Sequence, residues 1–268
     1  MKCDLCPRKC LVDRKKGEKG ICGQTENLKV ARAALHFWEE PCISGDAGSG
    51  AVFFSGCPLH CVFCQNENIA NGTVGKEISL ERLVDIFLEL QEKRANNINL
   101  VTPGHFVPQI VKALDQARKE GLTLPVVYNT SSYETVDTIK MLEGYVDIYL
   151  PDFKYMSPGL SKKYSHAPDY AEVAKAAIAE MVRQTGKAVF VNGDEDNLIL
   201  SGTIVRHLTL PGCMADSMQI LKYLHETYGD MIYISIMNQF TPLSNLEKYP
   251  ELNRRITDEE YETLVDYA

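Results

Sequence analysis

The sequence predicts an α/β fold in which parallel strands alternate with helices. Three observations carry that prediction. Six apolar runs of strand length recur along the chain, most of them are followed by apolar residues at helical spacing, and the alternation starts only at Ala51, after a cysteine-rich opening. Strands separated by helices pair in parallel, because a parallel connection needs a crossover of helix length.

Residues 1–45 read as loop-rich, with Gly17, Gly20 and Gly23 spacing the thiols. From Ala51, "AVFFS" reads as a buried strand that runs into a cysteine-bearing loop. "SLERLVDIFLELQEKRA" starts on a Ser N-cap, has an acidic first turn and carries apolar residues at helical spacing. "NINLVT" is a strand, and Pro108 to Gly121 a helix closed by its glycine. "LPVVYNT" is a strand and "YETVDTIKMLEG" a helix; "VDIYLPDFK" is a strand and Asp169 to Gly186 a long helix. "KAVFVN" and "LILSG" predict a short hairpin around "GDEDN". "GTIVRHLTLPG" is the fifth core strand, "ADSMQILKYLHETYG" a helix and "MIYISIMNQ" the last strand. The chain therefore divides into a cysteine-rich segment (1–45), an α/β domain (46–240) and a C-terminal tail (241–268).

Composition narrows the function classes. With 268 residues and 45% apolar content, the chain is long enough for one large domain plus a small appendage. A net charge of −8 and no basic run exclude nucleic acid as an expected partner, since neutralising phosphates needs clustered Lys and Arg. No apolar run is long enough to span a bilayer, and "MKCDLCPRKC" does not read as a signal peptide. A cytoplasmic protein is expected, and there nine cysteines point to metal binding or catalysis before disulfides.

The stretch "FFSGCPLHCVFCQN" places Cys57, Cys61 and Cys64 in a C-x3-C-x2-C pattern. A structural zinc site or a simple ferredoxin cluster takes four ligands. Three close thiols with no obvious fourth suggest an iron–sulfur cube with one iron open; half of a zinc ribbon is the blander reading. Polar residues also gather at the predicted strand ends: "TPGH", "NTSS", "PDFK", Arg206 with His207, and "MNQF". In parallel α/β folds reactive groups collect at that rim.

The cysteine pattern, with Phe63 just before its last cysteine, resembles the signature of the radical S-adenosylmethionine superfamily. Together, "PCISGDAGSGAVFFSGCPLHCVFCQN", "NLVTPGH", "VYNTSSYE", "DIYLPDFKY", "VRHLTLPG" and "SIMNQFTP" resemble one subfamily over residues 40–242. It is the group similar to the pyruvate formate-lyase activating enzyme. The resemblance implies a partial (β/α)6 TIM-like barrel and a [4Fe–4S] cluster on Cys57, Cys61 and Cys64, with S-adenosylmethionine on the open iron. It further implies reductive cleavage to a 5′-deoxyadenosyl radical, then hydrogen abstraction that activates a glycyl radical enzyme under anaerobic conditions. A flavodoxin- or ferredoxin-type reductant and a protein or peptide substrate are the implied partners. The same chemistry on a peptide or small molecule, and a non-catalytic metal-binding scaffold, are the alternatives.

Position by position, the resemblance puts Thr102, Pro103 and Gly104 at the methionyl amino group, where activating enzymes carry a Gly-Gly-Glu-type segment. Asn129 and Thr130 form the third-strand polar pair, with Asn129 where an aspartate beside a monovalent cation is usual. Asp152 and Lys154 fall beside the ribose and methionyl carboxylate, Arg206 near that carboxylate, Leu208 under the adenine, and Met237 and Gln239 on the sixth-strand side. Phe63 joins this cofactor-binding set.

The opening C-x2-C-x3-C-x11-C, formed by Cys3, Cys6, Cys10 and Cys22, resembles a metal knuckle. Its four sulfurs are expected to converge, with zinc, an auxiliary iron–sulfur cluster, or free or disulfide-bonded thiols all open. His105 and His207 read as satisfied polar residues, His60 as solvent-facing, and Cys213 as a small buried or loop thiol. Tyr128, Tyr149 and Tyr155 read as packing residues.

Overall fold

A computed structural model describes residues 2–194, 197–244 and 246–268. Its elements begin with β1 (Lys29–His36), α1 (Pro41–Ser44), β2 (Ser49–Phe54), α2 (Glu67–Ala70), β3 (Lys76–Glu77), α3 (Leu80–Glu92), β4 (Ile98–Val101), α4 (Val107–Lys119) and β5 (Val126–Thr130). They continue with α5 (Val136–Lys140), β6 (Ile148–Pro151), α6 (Pro158–Ser165), α7 (Tyr170–Thr185), β7 (Val189–Phe190), β8 (Ile199–Leu208), α8 (Met214–Tyr228), β9 (Tyr233–Met237) and α9 (Asp258–Tyr267). All six predicted core strands form, and they pair in parallel in the order β2-β4-β5-β6-β8-β9.

Local signals explain the helices. The Ser79 side chain accepts from the Arg82 amide and starts α3, whose Leu83, Val84, Phe87 and Leu90 are buried. In α4, Pro108 sits in the first turn, and Gly121 at φ +103 follows its end. The central strands are covered on both faces, with Ile98, Leu100, Val126, Tyr128, Ile148 and Tyr149 all at 0% exposure.

Alternation along the strands then divides the barrel interior into two levels. Ile43, Val127, Ile148, Leu150, Phe190, Ile199 and Ile204 form one apolar cluster that plugs the lower level. Two residues further along the same strands come Asn129, Asp152 and Arg206. Register keeps them level: Phe53 lies beside Val101, Val101 beside Asn129, and Asp152 bridges to Arg206.

Several expectations need correction. The opening segment is not all loop: β1 pairs antiparallel with β2, and β3 with β1, extending the sheet past its first parallel strand. Strands therefore begin before Ala51, with the run "KVARAALH" forming β1. "YETVDTIKMLEG" contributes only Val136–Lys140 as helix, started by the Thr135 side chain. α6 was not anticipated. The tail is helical at its end, where Thr257 and Glu260 form a capping box. The hairpin arms Val189–Phe190 and Ile199–Ser201 do pair, but the second continues into the core strand as one ten-residue strand. Gly202, at φ +140 and with no room for a Cβ against Ala188, makes that continuity possible. Glu195 and Asp196 of the expected turn lie outside the described residues.

The sheet stays open, since β9 pairs only with β8 among the described residues. From the cysteine loop after β2, Gln65 Nε2 donates to the Gln239 carbonyl beyond β9 at 3.2 Å, and on the β9 side the Tyr261 hydroxyl of α9 donates to the Ile236 carbonyl at 2.9 Å. Among the described residues no helix is long and apolar enough to cross a membrane.

Gly50 tests the packing of this core. A Cβ there would lie 2.6 Å from the Asn97 carbonyl oxygen and 3.1 Å from Ala95 Cβ. Gly50→Ala is expected to lose about 1–3 kcal/mol of stability by forcing β2 away from its neighbour, measured as a lowered urea midpoint at unchanged slope.

Candidate functional site

The cysteine loop leaves β2 through Gly56, whose φ of +91 and position against the Cys22 carbonyl leave no space for a side chain. The loop is tied at several points. Val62 N–H donates to the Tyr164 carbonyl at 2.9 Å, and Phe63 meets Tyr164 and Phe240 edge-on. Arg8 Nε donates to the Pro58 carbonyl at 2.9 Å. His60, expected to face solvent, is partly exposed and is also held: its Nε2 lies 2.8 Å from the Ile21 carbonyl and its Nδ1 3.0 Å from Asn71 Oδ1.

Cys57, Cys61 and Cys64 line one cavity of about 200 Å³ together with Thr102, Asn129, Thr130, Asp152, Lys154 and Arg206. Its outer part, about 460 Å³, adds Phe63, Leu208, Met237 and Gln239 to the predicted set. Of the residues expected around the cofactor, only Pro103 and Gly104 line neither part. They are buried behind Thr102, with Gly104 packed so closely on the Glu134 carboxyl that a Cβ would lie 2.4 Å from it. Thr102 itself has φ +54, a strained value for a β-branched residue, and its N–H donates to the Asn129 carbonyl at 2.9 Å.

The thiols suit an iron–sulfur cluster. Burial, reinforced by the neighbouring Cys61, pushes the Cys57 thiol up to about 12, and burial and Cys61 likewise raise Cys64. Buried thiols of this kind become thiolates only against a strong positive partner such as iron. No fourth cysteine lines the cavity. Among the described residues, no three Cys, His, Asp or Glu side chains are set around a point where one metal ion would sit. A lone zinc draws its sulfurs to about 2.3 Å from a single point, whereas a cluster spreads its thiolates over separate irons.

Beside the thiols lies a charge network. Lys154 Nζ donates to Asp152 Oδ2 at 2.6 Å, and Arg206 Nε to Asp152 Oδ1 at 3.0 Å. Arg206 also donates to Asn129 Oδ1 at 2.7 Å and to Glu39 Oε1 at 2.7 Å. Burial opposes the charge on Asp152, but Lys154 and Arg206 outweigh it and hold the carboxyl below its usual range. Burial likewise opposes the charge on Lys154, and Asp152 with Cys61 raises its pKa in spite of it.

Glu39 was missed by the sequence reading. It precedes the "PCISG" run, and nothing in its spacing shows that it turns into the barrel, where Asn99 and Asn129 both donate to its Oε2 at 3.0 Å. Of the two buried histidines expected to be satisfied, only His207 is: His105 Nδ1 is buried with no hydrogen-bond partner among the described residues. Burial lowers His105 to about 4, and its Nε2 pairs with the Ser55 carbonyl. His207 is fully satisfied by the Phe153 carbonyl and the Ser217 hydroxyl, both at 2.8 Å. Cys213 is half-buried, and Tyr128, Tyr149 and Tyr155 are packed in the core.

The N-terminal cysteines share one small region but do not surround a single metal-ion position. Cys3 and Leu11 close a tight hairpin through Cys3 N–H to Val12 O and Leu11 N–H to Cys3 O, both 2.9 Å. Cys10 Sγ accepts from the Ile21 amide at 3.3 Å. Burial raises Cys6 to about 12, with smaller contributions from Glu134, Cys22 and Cys10. All nine cysteines are free.

Comparison with known proteins agrees with this geometry. The family model described as the radical SAM superfamily matches residues 51–197, more than half of the chain. An uncharacterized protein of Methanocaldococcus jannaschii is 27% identical, over 99% of this chain and 74% of that protein. Two solved structures share the fold. HydG, a maturase of the [FeFe]-hydrogenase, has a TM-score of 0.51 at 14% identity, over 79% of this chain and 46% of that one. Methylornithine synthase (PylB) has a TM-score of 0.51 at 15% identity, over 78% of this chain and 58% of that one. The chain thus spans about half the length of these two structures.

Behind the site, Glu134 Oε1 accepts from the Thr130 hydroxyl at 2.8 Å and the Tyr128 hydroxyl at 3.3 Å, and burial lifts its carboxyl to about 7. The folded chain therefore keeps a proton that the unfolded chain releases above 4.5. Stability from this group is full below that value, falls as pH rises toward about 7, and is flat beyond. The loss amounts to about 3 kcal/mol. Glu134→Gln keeps the acceptor and removes the titration. Urea midpoints at about pH 5 and about pH 8 should fall less in the variant than in the wild type.

Proposed function

The chain belongs to the radical SAM superfamily, and on that basis we propose that it abstracts hydrogen from a protein substrate, in the manner of a glycyl radical activating enzyme. The family implies a [4Fe–4S] cluster and S-adenosylmethionine, which when bound supply one-electron cleavage of the sulfonium and a carbon-centred radical. Cys57, Cys61 and Cys64 would hold the cluster. Asp152, Lys154 and Arg206, balanced by Glu39, offer a fixed set of charges for a zwitterionic amino-acid end, with Glu39 and Asn129 keeping the guanidinium still. Thr102 and Thr130 supply hydroxyls nearby, and Phe63, Leu208 and Met237 an apolar wall suited to a flat base.

One observation carries the protein-substrate reading. The mouth opens into a groove of about 1030 Å³ lined by Phe37, Trp38 and Pro41, and Trp38, Glu39 and Gln239 line both the groove and the site. Trp38 is 86% exposed. A small-molecule site encloses its ligand, whereas an exposed tryptophan beside an open groove suits anchoring an extended chain. Radical modification of a small molecule is the second reading, favoured by the Thr102–Gly104 segment standing where activating enzymes carry Gly-Gly-Glu. The scaffold reading accounts for none of the paired charges in the cavity.

A second opening, lined by His60, Cys61, Cys64 and Tyr249, supports approach of a flavodoxin- or ferredoxin-type reductant from behind the cysteine loop. Free thiols throughout support a reducing, cytoplasmic setting. For Cys3, Cys6, Cys10 and Cys22, close enough to raise one another's pKa, we retain a second thiolate site for zinc or an auxiliary cluster.

Anaerobic incubation with dithionite, S-adenosylmethionine and a candidate glycyl radical enzyme tests the reading. A glycyl radical signal in electron paramagnetic resonance is expected. Release of 5′-deoxyadenosine that depends on a small molecule and never on a protein would overturn it. Trp38→Ala should slow transfer to the protein substrate several-fold while leaving uncoupled cofactor cleavage unchanged. Lys154→Ala should weaken S-adenosylmethionine binding about tenfold by calorimetry at unchanged iron content, as expected for loss of a charged hydrogen bond.

A further inference from the structure

Among the three cluster thiols Cys61 stands out by a side-chain hydrogen bond. Ser165 Oγ donates to Cys61 Sγ at 2.9 Å, from a position at the end of α6 where Ser165 is fully buried. The Ser165 oxygen lies 2.7 Å from the Tyr155 hydroxyl, itself 1% exposed. A hydroxyl carries one proton. Because Ser165 gives its proton to sulfur, Tyr155 must donate to Ser165, and the chain has one direction: Tyr155 to Ser165 to Cys61. Donors in series polarise one another and strengthen the last bond.

The cysteine-rich opening segment holds this chain in register. Arg8 reaches the Pro58 carbonyl in the cysteine loop at 2.9 Å and the Ser165 carbonyl at 3.1 Å, so one guanidinium ties the acceptor's loop to the donor's helix. It also donates to the carbonyl of His166, the left-handed residue that ends α6, and lies 5.1 Å from the Tyr133 ring centroid. The Val62–Tyr164 backbone bond is a second tie between the same two segments.

We propose that the Tyr155–Ser165–Cys61 chain sets the reduction potential of the iron–sulfur cluster, with Ser165 and Tyr155 as positioning residues and Arg8 keeping them aligned. The proposal rests on Cys57, Cys61 and Cys64 carrying that cluster. Reduction brings in one electron from a low-potential one-electron donor, dithionite in the test, and no proton or bond is exchanged. The added negative charge spreads partly onto the thiolates. An O–H aimed at Cys61 Sγ stabilises the reduced state more than the oxidised one, since hydrogen bonds to charged acceptors are the stronger ones. Hydrogen bonds to cluster sulfurs are a known lever on potential. Removing the donor therefore moves the midpoint to more negative values.

The test compares wild type with Ser165→Ala, Ser165→Thr and Tyr155→Phe, each reconstituted anaerobically. Iron and sulfide are counted, and the cluster is titrated by electron paramagnetic resonance without S-adenosylmethionine. At full cluster content, Ser165→Ala is expected to lower the reduced-to-oxidised ratio at a given potential about tenfold, a negative shift of about 59 mV for one electron. Tyr155→Phe, which keeps the ring, should shift the same way by less, and Ser165→Thr should stay near wild type. A Ser165→Ala protein with full iron and sulfide and an unmoved or more positive midpoint overturns the proposal. Should Ser165→Ala fail to hold iron, the sign of the Tyr155→Phe shift decides. Absence of any cluster from the wild type would instead overturn the reading of the three cysteines and the proposal with it, a different result from an unmoved midpoint.

Discussion

Two cations and two carboxylates share the upper level of the barrel, and the site depends on their mutual neutralisation. Arg206, Glu39, Asp152 and Lys154 have side chains only 10–17% exposed. Charges that far from water persist only when paired and hydrogen-bonded, and removing one partner leaves the others uncompensated. The four come from three places: Arg206 from β8, Glu39 from the link between β1 and α1, and Asp152 with Lys154 from the exit of β6. The network therefore forms only when the strands are in register and the opening segment is folded against them. It links global topology to the position of individual nitrogen and oxygen atoms.

Much of this was legible from residue order because the relevant signals are periodic. Parallel strands buried on both faces read as continuous apolar runs, and the polar residues that end them mark the open rim. Asn129, Asp152, Lys154 and Arg206 were found that way, and the cysteine trio by its spacing. Glu39 and Ser165 were not legible, for a common reason. Each acts through a tertiary contact made by a segment without periodicity, and the first of two glutamates before a proline, or a serine ending a short helix, carries no local mark of its partner. α6 was overlooked because its apolar face is weak and its stability comes from packing Tyr164 against Phe63 and Tyr249. The C-terminal helix was missed although its Thr257–Glu260 capping signal was present, as the preceding stretch has no core-facing pattern.

The cysteine-rich opening also has a mechanical part independent of any metal. Arg8 spans the cysteine loop and α6, Leu5 O accepts from the Thr138 hydroxyl at 2.7 Å, and Arg14 lies buried against Phe106 while donating to the Thr25 and His105 carbonyls. The Cys22 carbonyl fills the space beside Gly56 that any other residue would need. A segment too short to fold alone thus becomes ordered by leaning on the barrel, and the loop it leans on becomes rigid in return.

The unclosed seam between the last strand and the first has a topological consequence. A complete cylinder admits a polymer only end-first, so a residue in the middle of a folded chain could reach its interior only after unthreading. A wall interrupted along its length, crossed among the described residues by one glutamine rather than a ladder of backbone bonds, would on the protein-substrate reading admit a bight of chain sideways. Such an entrance would separate access from chain termini, and on that same reading a loop covalently continuous at both ends would visit the interior and withdraw intact.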